Sequence, residues 1–97
     1  MTTLIAYYDK DVLKNIVSPL TLHPDKVVFL YDSGIQDMTV FRSLETCFRR
    51  HIPYVTLEKY PVDVSSMEKI YRKTVQIIRE NENCALELTG GSELMVI

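Results

Sequence analysis

The stretch VVFLY, Val27 to Tyr31, decides the fold. It follows Asp25-Lys26 and runs into Asp32-Ser33-Gly34, a turn or helix-start signal. A short apolar run bounded in this way reads as a strand buried on both faces, because a sheet with one wet face would show alternation. Upstream, TLIAYY (Thr3 to Tyr8) has the same character and stops at Asp9. Between the two runs, Val12, Leu13, Ile16, Val17 and Leu20 recur at helical spacing and predict an amphipathic helix from about Lys10 to Leu20. Pro19 weakens the end of that helix.

Downstream the alternation of elements repeats. Met38, Phe41, Leu44 and Phe48 share one helical face, and Arg49, Arg50 and His51 follow as cations suited to a helix C-terminus. Pro53 opens a third strand, roughly Tyr54 to Tyr60, whose stronger alternation places it at a sheet edge. Asp63 or Ser65 caps a third helix, Glu68 completing a capping box with Ser65, and Met67, Ile70, Tyr71, Thr74, Ile77 and Ile78 are its predicted inner face. Cys84 to about Thr89 is a fourth strand, followed by Gly90-Gly91-Ser92. The order β-α-β-α-β-α-β predicts an α/β fold: a Rossmann-like three-layer sandwich with a parallel sheet, strand order 3-2-1-4, and helices on both faces.

The 97 residues form one domain, residues 1–97. The four apolar residues Leu94-Met95-Val96-Ile97 leave an element unfinished, so the chain is expected to be a fragment of a longer protein. With 46% hydrophobic and 25% charged residues the composition is that of an ordinary globular domain. The net charge of −2 does not indicate a general grip on duplex nucleic acid. No apolar run approaches a membrane span and no basic, apolar leader opens the chain, so a cytoplasmic protein without a membrane partner is expected. Cys47 and Cys84 lack metal-ligand spacing and read as reduced thiols. His23 and His51 fall at helix ends and read as capping or surface groups. No cofactor and no metal are called for.

In open parallel sheets ligands bind at the carboxyl ends of strands where the strand order reverses. Here that crevice lies between Tyr8-Asp9-Lys10 after strand 1 and Thr89-Gly90-Gly91-Ser92 after strand 4. The glycines let a ligand approach the backbone closely, and successive N–H groups can form an anion nest aided by a following helix N-terminus. Thr89 and Ser92 add hydroxyls. The competing reading of this tetrapeptide is a tight strand-to-helix turn. Asp9, Asp11, Asp32 and Glu93 gather near the same strand ends and could hold Mg²⁺ or act as acid and base, but carboxylates complementing helix dipoles explain them as well. Arg49-Arg50 reads as a solvated helix end. Tyr7, Tyr8 and Tyr31 could stack on a base, with core packing the simpler role.

Leu86-Glu87-Leu88-Thr89-Gly90-Gly91-Ser92-Glu93-Leu94-Met95 resembles the "D/N-x-TGGTK-x-M" signature of CARF domains, the CRISPR-associated Rossmann-fold sensors, and in particular the branch in which the domain precedes a PD-(D/E)XK-type nuclease. The resemblance covers the whole chain in β/α order and about ten residues at motif level. It implies a homodimer that binds cyclic oligoadenylate across the dimer interface and regulates a C-terminal effector nuclease in antiviral defence. By that resemblance Thr89, Gly90, Gly91 and Ser92 contact phosphates and riboses, Asp9 and Lys10 occupy the strand-1 ligand loop, and Met95 is a packing residue. Ser92 replaces the usual Thr and keeps the hydroxyl. Glu93 stands where Lys is common, which reverses the sign of a short-range term on the order of a few kcal/mol beside a phosphate. Either Glu93 points away, or another cation compensates, or the ligand differs.

No Ser/His/Asp or Cys/His set supports a nucleophile, so no catalytic residue is assigned and the effector would lie beyond Ile97. Two alternatives remain. One is a nucleotide-processing, ring-nuclease-like enzyme that positions the ligand's own 2′-hydroxyl. The other is a dimerisation or assembly domain that binds no ligand.

Overall fold

The computed structural model describes residues 2–8, 12–34, 39–81, 83–87 and 94–96. Its elements are β1 (Thr3–Tyr7), α1 (Val12–Leu22), β2 (Lys26–Asp32), α2 (Thr39–His51), β3 (Thr56–Val62), α3 (Met67–Glu80), β4 (Cys84–Glu87) and β5 (Leu94–Val96). The sheet order is β3-β2-β1-β4-β5. β1 to β4 pair in parallel, with Ile5 in register with Val28 on one side and Leu86 on the other. This is the expected α/β, Rossmann-like arrangement with strand order 3-2-1-4.

β5 is an addition. It pairs antiparallel to β4, Leu86 facing Met95 and Glu87 facing Leu94. Of the two readings of the apolar residues after the glycines, a helix start or a strand start, the described residues Leu94–Val96 form the strand.

Both faces of the sheet are covered. Leu4, Ala6, Val27, Phe29 and Ala85 point to one face, where Phe41, Leu44 and Phe48 of α2 and the half-buried Ile16 and Leu20 of α1 meet them. Ile5, Val28, Leu30, Val62 and Cys84 point to the other, beneath Ile77 and the half-buried Ile70 and Ile78 of α3. Helices change face where the chain reverses direction across the sheet, as crossovers of one hand require. Phe29 is the centre of the first layer. Tyr8 and Phe41 meet its ring edge-on at 6.5 and 6.2 Å, and Phe48 stacks on it at 6.4 Å.

Several local expectations shift. α1 runs through Pro19 to Leu22, and His23 closes it with φ 52° as its N–H donates to the Pro19 carbonyl at 3.0 Å. β3 starts two residues later than expected, because Pro53-Tyr54 forms a turn and leaves Tyr54 exposed. Pro61 lies inside β3 yet does no harm, since β3 is an edge strand. α3 is capped by Ser66, whose side chain accepts from the Lys69 N–H at 3.3 Å. Ser65 is instead held by Asp63, which accepts from its N–H and hydroxyl, so the predicted Ser65–Glu68 capping box does not form. Of the predicted inner face of α3, Ile70, Thr74, Ile77 and Ile78 are at least half buried, whereas Met67 and Tyr71 are exposed.

Candidate functional site

Strand order fixes the position of the crevice. β1 and β4 are neighbours with Ala6 in register with Glu87, and the sheet runs away from them in both directions. The carboxyl ends of these two strands thus form the switch point at which α/β sheets take ligands. Asp9 and Lys10, which follow β1, and Thr89, Gly90, Gly91 and Ser92, which follow β4, lie outside the described residues, as do Asp11 and Glu93.

The described residues frame the crevice from below. The Tyr8 N–H donates to the Leu30 carbonyl at 2.8 Å, which carries the β1–β2 ladder one residue beyond β1. Tyr8 packs on Phe29 and Tyr7 packs in the α3-side layer, so both serve the core. At the end of β2, Asp32 Oδ1 accepts from the Gly34 N–H at 2.9 Å, a local turn that occupies this carboxylate. Among the described residues no three His, Cys, Asp or Glu side chains gather as a metal site requires.

Glu87 is the residue that the motif reading did not single out. It is the last residue of β4 and only 1% exposed, on the face it shares with Ala85 and Ala6. Strand alternation carries the signal, since Cys84 and Leu86 pack toward α3 and Ala85 and Glu87 must point the other way. α1 on that face contributes a second buried polar side chain, Asn15. Buried ionisable groups are retained where they are hydrogen-bonded or paired, and Glu87 is such a buried acid at the carboxyl end of β4.

A second polar cluster lies beneath the end of α3. Lys26 Nζ is 3.1 Å from Glu58 Oε2 and 3.1 Å from Asn81 Oδ1, and the Tyr60 hydroxyl donates to Glu58 Oε1 at 3.0 Å. That hydrogen bond to Glu58 holds the Tyr60 phenol above its ordinary pKa, with burial adding to it. Burial also pushes the Cys84 thiol up, partly opposed by Lys26. A thiol held protonated is a poor nucleophile, so the cluster ties β2, β3 and α3 together rather than offering chemistry. His23 and His51 precede β2 and β3 and so lie at the opposite end of the sheet from the crevice. His23 Nδ1 sits 3.3 Å from the Tyr54 hydroxyl.

Charge is divided unequally along the sheet. Residues 39–81, which build α2, β3 and α3, carry eight Lys and Arg against five Asp and Glu, a net +3. The remainder, which includes both crevice segments, carries three against eight, a net −5. No helix among the described residues is long and apolar enough to cross a membrane. Compared with protein-family models, curated proteins and solved structures, the chain matches none.

Proposed function

We propose that this chain is a CARF-like nucleotide-sensing domain. It binds cyclic oligoadenylate in a homodimer through Asp9, Lys10, Thr89, Gly90, Gly91 and Ser92, and regulates an attached effector nuclease. What supports the reading is the sheet order β3-β2-β1-β4, in which the polar segment after β1 and the glycine segment after β4 leave the sheet from adjacent strands. A phosphate-bearing ring that prefers one arrangement of the two subunits would shift their population and so signal to the effector.

The test is a thermal-shift screen against cyclic tri-, tetra- and hexa-adenylate. Ligand at about 100 times its Kd stabilises by roughly 2.7 kcal/mol, and each kcal/mol moves the Tm of a domain this size by about 4–8 °C. A shift of about 10–20 °C with one ring, lost in Gly91→Val, is the expected result. No shift with any ring in a folded protein would sink the reading.

A second reading, an assembly domain without ligand, draws on two observations. β5 follows the glycine segment where a helix N-terminus would have aided an anion, and the crevice half of the chain is net −5. A folded dimer that binds none of the rings and is indifferent to Gly90→Val would favour it.

A further inference from the structure

We infer that the outward flank of α3 is a self-association surface, on which a second copy of this chain packs its own α3 antiparallel. α3 carries a wider apolar arc than the sheet covers. Ile70, Thr74, Ile77 and Ile78 face the sheet, and Lys73 lies 4.3 Å over the Tyr60 ring, which turns that flank toward the β3 edge. The opposite flank presents Met67, Tyr71 and Val75 at spacings of four residues, continuing a row begun by Val64. Met67 is 78% exposed, Tyr71 69% and Val64 53%. Scattered apolar surface residues are ordinary, but a contiguous row along one helix marks an interaction face. A shallow groove of about 500 Å³ follows it, lined by Tyr71, Arg72, Val75, Gln76, Arg79 and Glu80.

The charges beside the row select the occupant. Glu68, Arg72 and Arg79 border it on the side away from the sheet. In an antiparallel pair related by a two-fold axis, a flank of one helix meets the same flank of the other. Setting Tyr71 against Val75 of the second copy then brings Glu68 within one residue of facing Arg79, twice by symmetry. Arg72, which falls near its own copy at the axis, is already paired with Glu68 in the same helix. Parallel packing would turn this flank against the other one and lose the Glu68–Arg79 match. The flank is thus complementary to itself in charge at Glu68 and Arg79.

This association is separate from the homodimer of the proposed function, because an antiparallel α3 pair points the two switch points in opposite directions, and it does not depend on that ligand. The measurement is sedimentation equilibrium of the intact chain without nucleotide, so a failed thermal-shift screen leaves this inference standing. The wild type is expected to dimerise in the micromolar range. Glu68→Arg and Arg79→Glu should each weaken the dimer by about tenfold or more, since a reversed close charge pair is costly and here occurs twice. The double variant Glu68→Arg/Arg79→Glu should recover the wild-type constant. Tyr71→Glu should give a monomer with an unchanged far-UV spectrum, because the side chain lies outside the core. A monomeric wild type would overturn the inference, as would a dimer indifferent to Tyr71→Glu, or a double variant no better than the two singles.

Discussion

Phe29→Ala is the most severe single truncation that the architecture predicts. The Phe29 side chain is fully buried at the middle of β2, with Tyr8 from the end of β1 and Phe41 and Phe48 from α2 against its ring. Removing a buried Phe side chain costs about 3–5 kcal/mol through lost transfer energy and the cavity left behind. The upper end applies here, because three rings lose their partner and each well-oriented pair is worth about 0.5–1.5 kcal/mol beyond its buried area. Against a total stability of about 5–15 kcal/mol for a domain, most of the margin goes. With roughly 4–8 °C per kcal/mol the Tm should fall by about 20–40 °C. Urea unfolding followed by circular dichroism measures the loss. Phe29→Leu, expected to cost about 1.5 kcal/mol, keeps the series readable if the alanine variant does not fold. Met67→Ala, at a position the helical pattern alone would have placed in the core, should change stability by no more than about 0.5 kcal/mol. A Phe29→Ala loss below about 1.5 kcal/mol, or a Met67→Ala loss as large, would refute the assignment of these two faces.

Three further outcomes follow from local chemistry. An aromatic disulfide reagent should modify Cys47, which is half exposed, well before Cys84, whose buried thiol is held protonated; equal rates in the native protein would contradict that burial. Ser66→Ala removes the N-cap of α3 and should cost about 1 kcal/mol in denaturant unfolding, with Ser65→Ala much milder unless the cap lies one residue earlier. Asp63 has its pKa lowered, chiefly by the Ser65 hydroxyl and N–H and then by Lys69, so its contribution is present above the ordinary carboxylate range and lost as pH falls through the lowered value. Asp63→Asn should therefore flatten the acid limb of stability against pH, and an unchanged limb would assign that slope to other carboxylates.

The sheet was legible because its strands are short apolar runs between turn residues, and because four strands joined by three helices leave few right-handed topologies. Val27 to Leu30 is buried on both faces as its composition requires, and the wetter β3 is indeed an edge. What periodicity could not resolve was how much of an apolar arc the sheet would cover. Met67 and Tyr71 share helical phase with Ile70, Thr74 and Ile78, yet α3 leans toward β3 and leaves them out. Alternation misassigned Tyr54 because a tyrosine suits a turn after Pro53 as well as a strand. β5 was hidden because three residues of Leu-Met-Val carry no period that separates a strand from the first turn of a helix. The crevice was legible as a position, while its buried acid was not, since Leu-Glu-Leu reads as a strand with an outward Glu until the neighbouring faces are known.

Charge bears on what the crevice can hold. A polyanion there meets a chain whose residues outside 39–81 sum to net −5, and the next described element after the glycine segment is the strand β5. Backbone N–H groups and hydroxyls must then supply most of the attraction, and these reward a ligand that fits closely rather than any phosphate that arrives. The eight cations of residues 39–81 belong to α2, β3, α3 and their connections rather than to either crevice segment. Under the proposed function, inorganic phosphate and linear nucleotides should accordingly bind poorly, while a preorganised ring held by two subunits would offset the unfavourable field through fit and through contacts doubled by symmetry. The acidic surround thus argues for selectivity at the switch point more than against occupancy.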